Sequence, residues 1–392
     1  MQICICRVRV EYVKLEEICT IVSGGTPSRS KPNYWNNGNI PWIKIKDMKS
    51  KYIDSAEEFI TEEGLNNSST KMLKRDTILY SIFATLGEVG ILKIDACTNQ
   101  AIAGLSLKED SNILKEYLYY YLKSKKKDVN NLGRGVAQNN INLSLLRKFR
   151  IPVIPLHQQE KIIGVLDNVS NTINNYEREI YLLDELVKAR FVEMFGDLRV
   201  NDKGWKYYKL DELTELITDG EHATPKRTTQ GIYLLSARNV LNHQLSLEDV
   251  DYIDYDEFSR ISRRIIPREG DVLISCSGSI GRCCVVPKNI KFQMVRSIAL
   301  LRFKSNINPV FAEYMITSDY LQDQINKSKT VSSQANLFQG KIKSLKGVVP
   351  PLELQNQFAS FVQEIDKSRS RIQKSLEASQ ELFDSLMQEY FG

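Results

Sequence analysis

The side chains in this sequence best suited to chemistry sit in three pairs of polar loops, and the chemistry open to them is hydrogen bonding and charge pairing. The first pair is "SGGTPSRSKPNYW", Ser23 to Trp35, and "TDGEHATPKRTTQ", Thr218 to Gln230. Glycines there allow close backbone approach, hydroxyls can bond phosphate or base edges, and the cations carry charge. The candidate contacts are Ser23, Gly25, Thr26, Ser28, Arg29 and Lys31 in one loop and His222, Thr224, Lys226 and Arg227 in the other. The second pair, "KIKDMKSK" from Lys44 and "SARNVLNH" from Ser236, adds Lys44, Lys46, Arg238 and Asn239. The third, "GRGVAQNN" from Gly133 and "TVSSQANLFQG" from Thr330, adds Arg134, Gln138, Asn139, Ser333, Gln334 and Asn336, whose amides can pair bidentately with adenine. Any one of these loops reads equally well as an ordinary surface turn, and the glutamines and asparagines suit capping and turn roles too. Recurrence at matching places is what favours the functional reading.

Catalytic constellations are missing. The three histidines, His157, His222 and His243, have no metal-site spacing. The close pairs Cys4 with Cys6 and Cys283 with Cys284 lack the second pair of ligands that zinc requires, so packing is the expected role. A Gly-Lys-Ser/Thr phosphate loop is absent, as are a dinucleotide glycine fingerprint, an Asn-Pro-Pro-aromatic tetrad and any Glu-x-Lys of the usual metal-nuclease kind. Any chemistry is therefore expected to come from partners.

The elements that must position the loops are written twice. Shifted by half of its 392 residues, the sequence places "QNNI" at Gln138 on "QANL" at Gln334, Pro155-Leu156 on Pro351-Leu352, Gln159 on Gln355, Glu185-Leu186 on Glu381-Leu382, and Phe195-Gly196 on Phe391-Gly392. Upstream the match is looser: "VKLEEICTIVSGGTP" resembles "YKLDELTELITDGEHATP", and "ILYSIFATLGEVGI" resembles "VLISCSGSIGRCCV". The last pair reads as a strand ending in a tight turn. Each variable part alternates strand-like runs ("IPWIKI", "TILYSIF", "IYLLSA", "DVLISCS", "SIALLRF") with helical pieces such as "LKEYLYYYLKS" and "PVFAEYMITSDYLQDQI". The fold class is α+β, with expected domains at 1–152 and 197–348 and helices at 153–196 and 349–392.

Those two helices carry a 3.5-residue seam. It runs through Ile162, Leu166, Val169, Ile173, Tyr176, Ile180, Leu183, Val187, Arg190 and Met194, and again through Phe358, Val362, Ile365, Arg369, Ile372, Leu376, Ser379, Phe383, Leu386 and Tyr390. Two such helices should pair with each other as an antiparallel coiled coil. Of these positions, Ile162, Leu166, Ile173, Ile180, Leu183, Phe358, Val362, Ile372, Leu376 and Phe383 are the expected interface. Each helix would span roughly 58 Å at 1.5 Å per residue. Prolines precede both helices and glycine follows both.

Composition sets the frame. At 42% apolar and 26% charged the chain reads as a soluble globular protein, and seven cysteines without framework spacing suit a reducing compartment. "MQICICRVRV" has no apolar run of signal-peptide length, and no stretch approaches a membrane span, so a cytoplasmic location and no membrane partner are expected. Net charge is +5, a weak pointer to a polyanionic partner.

Two variable regions alternating with two similar long helices, the joints "IPVIPLHQQEKI" and "VVPPLELQNQF", the "SGGTPS" opening and the Phe-Gly terminators closely resemble the specificity subunit of Type I restriction-modification systems. The resemblance covers essentially the whole chain. It implies two target recognition domains, each reading one half of a bipartite, asymmetric site in double-stranded DNA. It also implies paired helices that set the gap and dock two methyltransferase subunits, and restriction subunits that translocate and cleave. It implies no cofactor in this chain, S-adenosylmethionine in the methyltransferase partner, and ATP and Mg in the restriction partner. The second joint, "VVPPLE", and the second loop, "TDGEHATP", depart modestly from the pattern and bear on the second domain's contacts. Three rival readings remain: a cysteine nucleophile acting near His222, a scaffold that binds only protein, and a specificity module for a Type II-like enzyme.

Overall fold

The computed structural model describes residues 11–133, 141–327 and 336–392. The strand-like start of the chain and most of the third loops lie outside those residues, including Arg134, Gln138, Asn139, Ser333 and Gln334. The chain divides into two compact units: 1–176 with 375–392, and 177–374. Both long helices contribute to both units, so each unit combines one variable region with part of each helix.

Unit 1 is built on a five-stranded sheet in the order Cys19–Ser23, Ile102–Leu107, Ile78–Ser81, Val89–Leu92, Tyr52–Ile53. A smaller sheet places Ile40–Ile43 between Glu58–Ile60, antiparallel, and Cys97–Thr98, parallel. Unit 2 repeats this plan. Its larger sheet runs Thr214–Asp219, Ile298–Phe303, Val272–Ser275, Cys283–Val285, and its smaller one sets Ile232–Leu235 between antiparallel Asp251–Ile253 and parallel Phe292–Met294. In each unit a two-stranded ribbon ties the start of the variable region to its end: Glu11–Lys14 with Arg150–Val153, and Tyr207–Lys209 with Lys346–Val348. The expected strands are present, each shorter by one to three residues at its ends. "PVFAEYMITSDYLQDQI" is a correction: it forms two helices, Pro309–Thr317 and Asp319–Lys327, because Ser318 turns extended at ψ 150° and ends the first.

The turn read from "SIFATLG" and "SCSGSIG" is the same device in both units. Ser81 Oγ donates to the carbonyl of Thr85 at 2.5 Å and accepts from the Glu88 N–H at 2.7 Å. Ser275 Oγ likewise donates to the Ser279 carbonyl at 2.6 Å and accepts from the Arg282 N–H at 3.0 Å. A buried hydroxyl thus satisfies the backbone groups that the turn takes out of the ladder.

The long helices run Leu156–Phe195 and Leu352–Phe391, forty residues each. All the seam positions anticipated above are buried or half-buried. In unit 1, Leu166 and Ile173 share a core with Phe383, Met387 and Phe391; in unit 2, Val187, Phe191 and Phe195 share one with Phe358 and Val362. The start of each helix therefore packs with the end of the other, which makes the pair antiparallel. Aromatic rings close each core. Phe195 lies 4.8 Å from Phe311 and 5.5 Å from Phe358, and Phe391 lies 5.4 Å from Tyr117, centroid to centroid. Gly196 ends the first helix at φ +78°, where a Cβ would lie only 2.0 Å from Asp202 Oδ1, so a glycine is required there.

A glutamine joins each variable region to its helix. Gln159 is fully buried; its Oε1 accepts from the Leu114 N–H, and its Nε2 donates to the carbonyls of Asn112 and Ile154, all at 2.8 Å. Gln355, also fully buried, accepts from the Asn308 N–H and donates to the Pro350 carbonyl, both at 2.8 Å, and donates to the Asn306 carbonyl at 3.3 Å. One buried amide side chain thus satisfies three backbone groups in each unit. Replacing Gln159 with Leu leaves them unpaired at a cost of about 3 kcal/mol. Amide exchange at Leu114 should then accelerate by roughly 100-fold while Asn308 is unaffected, and Q355L should do the reverse. Equal exchange at both amides in either variant contradicts this.

Candidate nucleic-acid interface

Each opening loop leaves the larger sheet through a glycine. The Gly24 N–H donates to the Ile102 carbonyl and the Gly220 N–H to the Ile298 carbonyl, both at 3.0 Å. A Cβ would meet the Asn99 carbonyl oxygen at 2.1 Å from Gly24 and the Met294 carbonyl oxygen at 2.3 Å from Gly220. Gly25 is buried, with its carbonyl accepting from Trp42 Nε1 at 3.0 Å. The close approach that these glycines permit is therefore to the protein's own backbone, and Gly25 drops out of the contact set.

Beyond Gly25 the loop of unit 1 crosses the smaller sheet. Thr26 is hydrogen-bonded to Gln100, Ser28 Oγ to Ser30 Oγ at 2.8 Å, and Trp35 Nε1 donates to the Ser28 carbonyl at 3.1 Å. The Arg29 guanidinium lies over the Trp35 ring at 3.6 Å, and Trp35 meets Trp42 edge-on at 5.0 Å. Lys31 Nζ donates to Tyr34 Oη at 2.9 Å. Ser23, at the strand end, is half-buried, and its hydroxyl turns to the Gly24 carbonyl.

The second loop is folded by a side-chain cap. The Lys44 N–H donates to Asp47 Oδ2 at 2.8 Å, and the Ser236 N–H donates to Asn239 Oδ1 at 2.9 Å. Lys46 pairs with Glu57. Asn239 is only 1% exposed, and its Nδ2 donates to the carbonyls of Ser246 and Asp249. That is a second departure from the sequence reading: the side chain builds the loop from inside and has no face for a ligand.

In unit 2 the exposed His222 pairs with Asp219 at 2.8 Å, and Arg264, which the sequence reading passed over, pairs with the same carboxylate at 2.7 Å. The Lys226 N–H donates to Glu257 Oε1 at 3.1 Å, leaving its exposed side chain free to extend. Thr224 is exposed.

Two carboxylates draw the loops together. Glu58 pairs with Arg29 of the first loop and Lys44 of the second, and Asp251 pairs with Arg227 at 3.1 Å and Arg238 at 3.2 Å. Neither acid stood out in the sequence, because only strand register puts them there: Glu58 lies opposite Trp42 and Asp251 opposite Leu234. Partial burial disfavours the Glu58 carboxylate, but hydrogen bonds from Lys44 and Arg29 hold its pKa below the usual range. The third loops return beside the turn strands: the Ile141 N–H donates to the Ile82 carbonyl and the Leu337 N–H to the Cys276 carbonyl, both at 2.9 Å. Asn336, half-buried, bridges to Ser277.

The cysteines among the described residues are buried and form no disulfides, and burial pushes the thiols of Cys19 and Cys276 up to about 12. A thiol held that far from ionisation is no nucleophile at neutral pH, which counts against a cysteine among the described residues acting near His222. Among the described residues no group of three or more His, Cys, Asp or Glu side chains is arranged to hold a metal ion, and no helix is long and apolar enough to cross a membrane.

The inward role of Asn239 is testable. Asn239→Ala should loosen the second loop by about 1–3 kcal/mol, seen as faster amide exchange at Ser236. Wild-type exchange there contradicts the assignment.

Comparison with known proteins agrees with this architecture. The family described as Type I restriction modification DNA specificity domain matches residues 7–182 and again 202–380. The Escherichia coli EcoR124I/EcoR124II specificity subunit is 34% identical over 195 residues, 48% of this chain and 48% of that protein, so this match spans about half the relative's length. The MjaIX specificity subunit of Methanocaldococcus jannaschii is 25% identical over 403 residues, covering 95% of this chain and 90% of the relative. The crystal structure of the Type I restriction-modification S subunit from M. genitalium superposes with a TM-score of 0.57 at 14% identity, covering 100% of this chain and 98% of that one, a likeness of fold. With a family match to each half of the chain and a duplicated α+β unit carried on antiparallel helices, this chain belongs to the Type I restriction modification DNA specificity family.

Proposed function

We propose that this chain is the non-catalytic DNA-reading component of a Type I restriction-modification assembly, in which unit 1 reads one half of a bipartite site and unit 2 the other. The observation that carries the reading is a pair of loop sets anchored in the same way in both units, but differing in the side chains they present. Gly24 and Gly220, Ser81 and Ser275, and Gln159 and Gln355 hold the backbone alike, while Arg29, Ser28 and Lys31 in one unit correspond to His222, Thr224, Lys226 and Arg227 in the other. Identical anchors with different exposed groups are what two unlike half-sites require. The contacts we assign are Ser23, Thr26, Ser28, Arg29, Lys31, Lys44 and Lys46 for unit 1, and His222, Thr224, Lys226, Arg227, Arg238 and Asn336 for unit 2. Arg134, Gln138, Asn139, Ser333 and Gln334 are proposed on their sequence alone.

In this reading the paired helices set the gap between half-sites and dock two methyltransferase subunits, which bring S-adenosylmethionine to adenines in the site. Restriction subunits bring ATP and Mg, and all bond-making and bond-breaking belongs to those partners. This chain's own contribution is binding energy: cations neutralise phosphates, and hydroxyls, amides and arginines discriminate bases by about 1–3 kcal/mol per good bidentate pair.

Exchanging residues 1–150 for those of another family member, followed by methylome sequencing of a host that also expresses the methyltransferase partner, should change one half of a two-part methylated motif and leave the other half intact. A change in both halves, or in neither, contradicts the assignment of one unit to one half. Replacing Arg29, Lys31, Lys226 and Arg227 together with Ala should weaken binding to every duplex and flatten its salt dependence by about one unit of slope for each phosphate no longer neutralised. Unchanged affinity would favour a scaffold that binds only protein.

A further inference from the structure

The two carboxylates that gather the reading loops have no other evident task. Glu58 and Asp251 occupy equivalent places, on the antiparallel edge strand of the smaller sheet in their own unit. Each takes one cation from the opening loop and one from the second loop: Arg29 and Lys44 on Glu58, Arg227 and Arg238 on Asp251. The surrounding residues are unlike. In unit 1 the arginine is also stacked on Trp35, whereas in unit 2 Arg238 also donates to the Asp249 carbonyl and pairs with the Asp249 carboxylate. The same acid-centred pair of cations is therefore rebuilt from different neighbours.

Stability does not account for the arginine pairs. Both carboxylates are about a third exposed, at 31%, and Arg29, Arg227 and Arg238 are about half exposed, whereas Lys44, at 17%, is largely enclosed. Ion pairs as open to water as those of the three arginines contribute little to folding. Holding the cations still before DNA arrives does have an effect. A long cationic side chain loses rotamer freedom when it docks on a base edge, and a carboxylate that has already fixed its direction removes much of that cost for the one geometry it supports. The acid also cancels one of the two charges in each cluster. That lowers the attraction to phosphate that every DNA sequence offers equally, and with it the affinity for wrong sites.

Resting on the DNA-reading role proposed above, we propose that Glu58 and Asp251 are positioning residues for sequence discrimination. Each aligns one opening-loop and one second-loop cation in the unit where it stands, sharpening the choice of one half-site while weakening binding to unrelated duplex.

The test uses the full chain assembled with its methyltransferase subunits, the variants Glu58→Gln and Asp251→Asn, and four duplexes: the two-part sequence defined by methylome sequencing, the same with either half scrambled, and one with both halves scrambled. Binding is followed by fluorescence anisotropy across a salt series. E58Q should bind the fully scrambled duplex more tightly than wild type, with a steeper salt dependence as the half-exposed Arg29 turns to phosphates. Its preference for the half read by unit 1 should fall by about 10-fold, with the other half discriminated as in wild type. D251N should act in the same direction on the half read by unit 2, by a smaller factor, because Asp249 still holds Arg238 while Arg227 is released. The proposal is overturned if a variant keeps wild-type preference and salt slope, or if it weakens every duplex equally, as loss of a merely structural acid would. A wild-type assembly with no preference among the four duplexes overturns the DNA-reading role itself, a result distinguishable from failure of the carboxylates alone.

Discussion

Two forty-residue helices bury one apolar seam, and each unit is assembled on its share of that burial. A helix of this length gains little from propensity alone; it persists because its apolar stripe meets a partner. Here the stripe is long enough to enter both units, and in each it fuses with the core of the variable region through Phe191, Phe195 and Phe358 in one case and Phe383, Met387 and Phe391 in the other. Burying those side chains, at roughly 1.5–3 kcal/mol apiece, is what makes a unit from segments far apart in sequence. The buried glutamines then fix the angle at which chain and helix meet, because an amide with three backbone partners tolerates little rotation.

From that constraint follows a division of labour within each unit. The residues nearest the helices and sheets are held in repeated geometries, down to the hydroxyl of Ser81 and its counterpart Ser275. The loops above them are free to differ, since their backbones are supported at Gly24 and Gly220, at the second-loop caps, and beside Ile82 and Cys276. A protein that must read many different sequences with one architecture needs this arrangement: change confined to exposed side chains costs little stability. The carboxylates Glu58 and Asp251 stand at the boundary between the two regimes, on the fixed scaffold but directed at the variable cations.

Much of this was legible in the sequence, for physical reasons. A seam of period 3.5 over more than four heptads is a long-range pattern that local noise cannot mimic, and the half-length shift pairs Gln159 with Gln355 without any knowledge of their bonds. The turn after Ile78–Ser81 was recognisable because strand, small residues and glycine follow in order. What the sequence did not disclose depends on register between distant segments. Asn239 has the composition of a contact residue, yet it is buried by its own loop. Gly25 has the look of a ligand-approach glycine, yet it is buried against Ser69 and Thr70. The split at Ser318 shows no proline or glycine to announce it. Glu58 is one acid among several in a polar run until pairing of its strand with Ile40–Ile43 sets it beneath Arg29 and Lys44.

The proposal at the centre of this account is that the paired helices set the gap between two half-sites. Removing one heptad from each helix, residues 176–182 and 372–378, keeps the seam in phase while shortening both helices. Methylome sequencing of a host carrying this shortened chain with its methyltransferase partner measures the outcome directly. The account predicts that both half-sites keep their letters while the gap between them shrinks. An unchanged gap, or an altered half-site, would contradict it.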